Sequence, residues 1–152
     1  MAVRLESRIA VRAPAQQVWT YLTDPANYPR FMHDISRWDV EGERSTGLGA
    51  RYSIRMKVGT AHVGGLVEVV EFQDRRELGW TSITGVDHRG RFRLRARGQG
   101  ETEVTFRLRF NLPGGLLSRV AERVAGRIVD ANMRRSLENL EHEVETEPPA
   151  EE

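Results

Sequence analysis

The stretch that most constrains the fold of this chain spans residues 113–144. Pro113 favours a first helical turn, and no proline follows before Pro148, so the segment is long enough for one major helix. Its apolar residues form two stripes that lie on nearly opposite sides of such a helix. One stripe contains Leu117, Val120, Ala121, Val124, Ile128 and Ala131, and the other contains Val129, Met133, Leu137, Leu140 and Val144.

A straight helix that packs on one surface needs only the second of these stripes. Either the helix breaks near Gly126, or its first half contacts a further apolar object such as a membrane surface. We favour the break, because glycine weakens a helix interior by about 1 kcal/mol relative to alanine. We therefore expect both stripes to be buried on either side of Gly126.

Length and composition narrow the class of protein. The 152 residues fit one domain, expected over residues 1–145, with an acidic frayed tail at 146–152. The absence of cysteine excludes disulfides and thiolate chemistry and predicts a cytoplasmic protein. No signal-peptide pattern and no apolar run of about 18 residues is present. The net charge of +1 argues against a dedicated nucleic-acid binder.

The remaining elements follow from apolar periodicity and turn residues. A half-buried strand at residues 3–11 precedes a short helix at 15–22 and a second short helix at 24–32, with Asp24 as its N-cap. Six strand-like runs come next, at 36–43, 48–58, 61–73, 77–84, 88–97 and 101–111. A consecutive antiparallel meander that packs against one long helix is an α+β fold.

Hairpin pairing predicts which side chains face the helix. The loop at residues 98–100 sets Phe92 opposite Phe106, and the loop at 85–87 sets Trp80 opposite Phe92. The resulting inner face carries Leu78, Trp80, Phe92, Leu94, Val104, Phe106 and Leu108. In the third run, the turns at its two ends require opposite sets of side chains to face inward. This conflict predicts a β-bulge near Val69-Val70, with Val70 inward. Without the bulge Glu68 would point inward.

The order of elements, the segment Asp24-x-x-x-Tyr28-Pro29-x-Phe31 and the segment Leu112-Pro113-Gly114-Gly115 carry a family resemblance. The chain resembles the START-related helix-grip (SRPBCC) superfamily, and within it the bacterial polyketide cyclase/dehydrase branch, akin to coenzyme-Q-binding proteins. The resemblance implies a curved sheet that grips the long helix, with a ligand cavity between them and two small helices at one rim. Members bind lipids, quinones, polyketides or plant hormones; some catalyse ring closure, and others bind protein or ribosomal partners.

The candidate cavity is predicted to be apolar and to bind a hydrophobic small molecule such as a lipid, quinone or polyketide. Its predicted lining is Phe31, Trp38, Tyr52, Ile54, Met56, Val67, Trp80, Phe92, Leu94, Val104, Phe106, Leu108, Val129 and Met133. A wall of this kind favours a carrier over bond chemistry. The alternative is a polyketide cyclase or dehydrase, for which Tyr52 and His33 are the candidate acid–base groups, although such side chains are commonly packing or rim residues.

Metal and cofactor sites are not expected. The four histidines, His33, His62, His88 and His142, lack the spacing of metal ligands, so we interpret them as surface or rim residues. No phosphate-binding loop or nucleophile elbow occurs either. The sequence makes no prediction of oligomeric state.

Arginines alternate along the outer face of the last two strand-like runs. The predicted register sets Arg91 opposite Arg107 and Arg89 opposite Arg109, which is mildly unfavourable unless solvent or a partner compensates. One interpretation is an ordinary solvated face with Glu77 as a neighbour. The other is contact with an anionic surface, either lipid headgroups at a membrane periphery or RNA. Nucleic acid is disfavoured, because Phe92 and Leu94 point inward and leave no aromatic platform for bases.

Overall fold

The computed structural model describes residues 2–58, 60–111 and 119–147. Its elements are β1 (Ala2–Val11), α1 (Ala15–Leu22), a 3-10 turn (Pro25–Asn27), α2 (Tyr28–Phe31), β2 (Ile35–Glu41), β3 (Arg51–Val58), β4 (Ala61–Gln73), β5 (Glu77–Ser82), β6 (His88–Arg97), β7 (Glu101–Asn111) and α3 (Arg119–Thr146). The strands form a seven-stranded antiparallel sheet in the order β1-β7-β6-β5-β4-β3-β2. The predicted α+β helix-grip fold is confirmed.

Several element boundaries differ from the predicted ones. The largest differences lie around the connection between β2 and β3, where strand structure was predicted from residue 48 and β3 begins at Arg51. Gly42, Gly47 and Gly49 in this connection have φ between +87° and +96°, a region that other residues rarely adopt, so the chain turns there instead of extending. The Pro113-Gly114-Gly115 segment and residues 148–152 of the predicted tail lie outside the described residues.

The strand register is confirmed in part. Phe92 lies opposite Phe106, as predicted, whereas Trp80 lies opposite Gly90 and not opposite Phe92. The connection between β5 and β6 spans residues 83–87 and is longer than the three-residue loop predicted there. The register therefore shifts by two residues, which keeps every side chain on its predicted face.

A β-bulge interrupts the pairing of β4 with β5 between Val69 and Glu71. The predicted bulge is thus confirmed, but the inward orientation predicted for Val70 is wrong. Val69 is 2% exposed and Val70 is 49% exposed, because Val70 is the extra residue and turns toward solvent. Glu68 also lies on the outer face, where its carboxylate accepts a hydrogen bond from Arg51 Nε at 2.9 Å.

The long helix is continuous, so the break predicted near Gly126 is wrong. Helix α3 passes through Gly126 without interruption, and a Cβ atom at that position would lie 3.8 Å from Val3 Cγ1 on β1. The second apolar stripe is buried as predicted, from Val129 to Val144. In the first stripe, Val124 remains 50% exposed. Because Val124 is not buried, the helix does not need a break to bring it to the core.

Aromatic side chains fill the space between the small helices and the sheet. The ring of Tyr28 stacks on Trp38 with centroids 4.3 Å apart, and Phe92 stacks on Phe106 at 4.4 Å. Each such pair contributes roughly 0.5–1.5 kcal/mol beyond the apolar area that it buries. The Tyr28 hydroxyl donates to the Leu22 carbonyl at 2.9 Å, which joins α1 to α2. A larger open space lies on the other side of these rings, beside the middle of α3.

Candidate ligand cavity

A cavity of about 270 Å³ lies between the inner face of the sheet and the middle of α3. Almost all of its wall is apolar. The wall is formed by Met32, His33, Ile35, Trp38, Ile54, Met56, Val63, Gly64, Trp80, Val86, His88, Phe106, Leu108, Phe110, Ala125, Val129, Asn132, Met133 and Ser136. The volume exceeds the ~150 Å³ that holds a benzene molecule and approaches the ~300 Å³ of the smaller ligand pockets.

The connection between β5 and β6 closes one side of the cavity. The amides of Ile83 and Thr84 both donate to the Leu66 carbonyl on β4, at 2.7 and 3.2 Å. A Cβ atom at Gly65 or at Gly85 would overlap backbone atoms of the opposing segment, so the two chains approach closely only because both residues are glycines. This contact holds Val86 and His88 in the cavity wall.

His88 is held in one orientation by two hydrogen bonds. Its Nδ1 lies 2.8 Å from the Val86 carbonyl oxygen, and its Nε2 accepts a hydrogen bond from Trp80 Nε1 at 3.3 Å. A carbonyl can only accept, so this arrangement requires the neutral ring with its proton on Nδ1. Burial lowers the pKa of His88, which favours the same neutral form, although the Val86 carbonyl and the Asp87 carboxylate oppose the shift.

Ser136 connects α3 to the turn after α2. Its hydroxyl donates to the Asn132 carbonyl at 2.7 Å and accepts from the backbone amide of His33 at 2.8 Å. The imidazole of His33 is partly exposed, with Nε2 at 3.5 Å from Asp34 Oδ2. The Ser136 hydroxyl is thus engaged in positioning the rim and is not free to act as a nucleophile.

Two buried N–H donors on wall residues have no acceptor within the described parts of the chain. They are Trp38 Nε1 on β2 and Asn132 Nδ2 on α3. Trp38 is 5% exposed and Asn132 is 9% exposed, so solvent does not serve as their partner. A buried donor without an acceptor costs about 1–3 kcal/mol.

The structure places the predicted lining residues in two groups. Those in the cavity wall are Trp38, Ile54, Met56, Trp80, Phe106, Leu108, Val129 and Met133. Those outside the wall, in the packed core beside it, are Phe31, Tyr52, Val67, Phe92, Leu94 and Val104. The rings that pack between the small helices and the sheet occupy the space that the sequence assigned to ligand on that side.

The two candidate acid–base residues are also separated. His33 lies in the wall, whereas Tyr52 does not. The Tyr52 hydroxyl donates to the Ser45 carbonyl at 2.7 Å, and burial raises its pKa to about 12. Tyr52 is therefore a poor candidate for proton transfer to a molecule in this cavity.

Three polar wall residues, His88, Asn132 and Ser136, were absent from the predicted lining. A signal for the last two was present, because residues 129, 132, 133 and 136 share one face of a helix. Polar residues inside an otherwise buried stripe were therefore identifiable. His88 gave no comparable signal, since its position depends on the length of the loop before it.

The described part of the chain lacks a metal-binding cluster and a membrane-spanning helix. No group of three or more His, Cys, Asp or Glu side chains there is arranged to hold a metal ion. None of the described helices is both long and apolar enough to cross a membrane.

The outer face of the sheet carries arginines in two rows across the strands. In one row Arg91 bonds Glu71 at 2.8 Å and pairs with Glu77 at 3.2 Å, while Arg107 pairs with Glu6 at 3.6 Å. The other row sets Arg4 beside Arg109 and Arg109 beside Arg89. Within the described residues, no ion pair is formed by Arg4, Arg89 or Arg109. The first row is charge-compensated, whereas the described residues provide no carboxylate partner for the second.

A curved antiparallel sheet around a C-terminal helix, with an apolar cavity between them, defines a helix-grip protein of the START-like class. The chain belongs to the family described as polyketide cyclase / dehydrase and lipid transport, whose model matches residues 2–145. No curated protein matches the chain in sequence. The family resemblance inferred from the sequence is thereby confirmed.

Solved structures with the same fold differ widely in sequence. TTHA0849 from Thermus thermophilus is 17% identical with a TM-score of 0.82, covering 93% of this chain and 97% of that one. The Zhui aromatase/cyclase from a Streptomyces species is 18% identical with a TM-score of 0.81, covering 95% and 94%. A START superfamily protein from Mycobacterium smegmatis is 14% identical with a TM-score of 0.76, covering 93% and 97%. At these identities the likeness establishes the fold alone.

Proposed function

We propose that this chain is a non-enzymatic carrier that binds a lipophilic small molecule in the cavity between the sheet and α3. The observation that carries the proposal is a nearly apolar space of about 270 Å³ beside a well-buried hydrophobic core. Protein interiors rarely leave voids of this size empty, since each lost contact destabilises the fold. A cytoplasmic site of action, suggested by the absence of cysteine, is part of this proposal.

The volume favours a compact ligand. A benzene-sized molecule would leave part of the cavity unfilled, and ligand pockets for larger molecules start at about 300 Å³. A ligand of about two fused rings, or a short branched chain, fits the available space better than a sterol. The fit supports a quinone or an aromatic polyketide-like molecule over a long acyl chain.

Cyclase or dehydrase chemistry is the second candidate. It is favoured by the two imidazoles in the wall, His33 and His88, and by the family to which the chain belongs. Against it, both nitrogens of His88 are engaged in hydrogen bonds, and no carboxylate side chain belongs to the described wall. Ring closure of a poly-β-ketone model substrate that is lost in His88→Gln or His33→Gln would replace the carrier proposal with this one.

The carrier proposal is tested by filling the cavity from the helix side. We expect native mass spectrometry and calorimetry to show 1,4-dimethylnaphthalene bound to the wild-type chain, and Val129→Phe to abolish binding. The matched control is Val124→Phe, because Val124 lies exposed on the same helix and outside the wall. A wild-type protein that binds no bicyclic probe, or a Val129→Phe variant that binds as well as wild type, would contradict the proposal.

Contact with an anionic membrane surface is proposed as an accessory property. Its support is the row formed by Arg4, Arg109 and Arg89, which faces solvent without ion-pair partners among the described residues. Each basic residue near an anionic bilayer contributes about 1 kcal/mol of attraction. RNA is the competing anion, and a comparison of anionic vesicles with single-stranded RNA separates the two.

A further inference from the structure

We infer that Met32, Met56 and Met133 form an adaptable part of the cavity wall, which lets the site accept ligands larger than its volume of about 270 Å³. This role rests on the proposed carrier function and assigns the upper limit of ligand size to three residues. Apart from Met1, which lies outside the described residues, every methionine of the chain belongs to the wall. The rest of the described hydrophobic core is built from aromatic, branched aliphatic and alanine side chains.

The three methionines come from elements that meet on one side of the cavity. Met32 follows α2, and the backbone amide of the next residue donates to the Ser136 hydroxyl on α3 at 2.8 Å. Ser136 lies three residues after Met133, on the same face of that helix. Met56 on β3 is the cross-strand partner of Ile35, whose amide donates to the Met32 carbonyl at 3.3 Å. These contacts bring all three side chains to the same part of the wall.

Most other apolar side chains of the described wall are stiffer. A β-branched side chain is restricted at χ1, and an aromatic ring keeps its shape. These stiffer members are Ile35, Trp38, Ile54, Val63, Trp80, Val86, Phe106, Phe110 and Val129. Methionine is unbranched, has three rotatable bonds and repacks around irregular shapes, which is why methionine-rich surfaces bind ligands of several shapes. The methionines are therefore the wall residues that adjust most easily to a larger guest.

The connection between β5 and β6 does not provide the additional space, because hydrogen bonds hold both of its ends. Its first residues donate to the Leu66 carbonyl on β4. At its other end the Asp87 carbonyl accepts from the Asn111 amide on β7 at 2.9 Å, and the Asn111 side chain donates to the Asp87 carboxylate. Expansion of the cavity therefore depends on side chains that change rotamer. Met32 and Met56 have room for such changes, because they are only partly buried.

The test compares two rigid aromatic hydrocarbons of different size. The resting cavity suits the two fused rings of 1,4-dimethylnaphthalene, whereas the four fused rings of pyrene require a wider space. Dissociation constants for both probes are measured by fluorescence titration on the wild type and on the triple variant Met32→Leu/Met56→Leu/Met133→Leu. Exchange of methionine for leucine nearly conserves volume but introduces a branched, less flexible side chain. The matched control is Leu137→Met, because Leu137 is buried on α3 outside the wall.

We expect the wild type to bind both probes. In the triple variant the ratio of the pyrene constant to the dimethylnaphthalene constant should rise about tenfold or more, because the stiffer wall is overpacked by the larger guest. Leu137→Met should retain the wild-type ratio. Met32→Leu and Met56→Leu alone should each raise the ratio by a smaller factor, which keeps the test decisive if the triple variant folds poorly.

Three results would overturn this role of the methionines. If the wild type binds dimethylnaphthalene but not pyrene, the wall does not adapt, although the carrier function stands. If both probes bind and the leucine variants keep the wild-type ratio, other residues set the size limit and the carrier function again stands. If neither probe binds the wild type, the carrier function itself is overturned and the role of the methionines with it.

Discussion

The indole of Trp80 lies directly over Gly90, its cross-strand partner on the neighbouring strand β6. A Cβ atom at Gly90 would overlap the six-membered ring of Trp80. The missing side chain therefore creates the space in which the indole reaches both the cavity and His88 Nε2. Gly90 therefore has a packing role in a central strand.

The first prediction follows from this overlap. Gly90→Ala should destabilise the fold by about 1–3 kcal/mol, because the core must move to accommodate the added carbon. It should also weaken binding of the bicyclic probes, since the displaced indole intrudes on the cavity. Urea unfolding and calorimetry measure the two effects. The control is Gly100→Ala, where a Cβ atom would meet nothing within 4 Å; equal stability of the two variants would contradict the packing role of Gly90.

The second prediction concerns pH. The pKa of His88 is lowered by burial, so the unfolded chain, with a histidine pKa of ~6.5, binds the proton more readily than the folded one. The stabilisation that this histidine gives is present above about pH 6.5 and is lost as the pH falls below that value. Replacement by glutamine keeps an acceptor for Trp80 Nε1 but removes the titration.

We expect the free energy of unfolding of His88→Gln to decline less between pH 7 and pH 5 than that of the wild type. Carboxylates with raised pKa values, such as Glu77, contribute to both proteins equally and cancel in the difference. His142→Gln, at an exposed position on α3, is the control and should retain the wild-type slope. Parallel pH profiles for wild type and His88→Gln would contradict the prediction.

Features that depend on neighbouring residues could be predicted from the sequence, whereas features that depend on how distant segments pair could not. The inner face of the sheet and the buried stripe of α3 were predictable, because strand and helix periodicity fix them locally. The register of Trp80 was not, because it depends on whether the loop before His88 contains three or five residues. An error of two residues leaves Trp80 on the predicted face of the sheet but changes its cross-strand partner from Phe92 to Gly90.

The cavity was predictable only in outline. Apolar character alone does not separate residues that line a void from residues that fill the core, so Phe92 and Tyr52 were assigned to the same lining as Trp80. That distinction arises from the volumes of rings contributed by α1 and α2, such as Tyr28 stacked on Trp38. The break predicted at Gly126 failed for a related reason: a helix tolerates one glycine when tertiary packing over its second half holds it.

The third prediction compares two tyrosines with different hydroxyl environments. Tyr52→Phe should cost about 0.5–1.5 kcal/mol, because the hydroxyl loses its hydrogen bond to the Ser45 carbonyl. Tyr21→Phe should be neutral or stabilising, because the buried Tyr21 hydroxyl has no partner among the described residues. Thermal unfolding measures both.

Binding of a bicyclic probe tests whether Tyr52 and Tyr21 have only a structural role. Neither Tyr52→Phe nor Tyr21→Phe should alter the dissociation constant of a bicyclic probe, because neither residue belongs to the cavity wall. A loss of binding or of ring-closing activity confined to Tyr52→Phe would restore Tyr52 as a functional residue.

The fourth prediction compares an arginine of the uncompensated row with an ion-paired arginine at the other end of the same strand. In the uncompensated row Arg89 lies beside Arg109, whereas Arg97 bonds Glu103 at 2.5 Å at the far end of β6. Arg89→Glu should reduce cosedimentation with vesicles that contain phosphatidylglycerol by several-fold, and Arg97→Gln should have little effect. Binding of the wild type should weaken from 50 to 200 mM salt, since the Debye length shortens to below ~10 Å. Equal association with neutral phosphatidylcholine vesicles, or retention of single-stranded RNA in place of anionic vesicles, would overturn the assignment to a membrane surface.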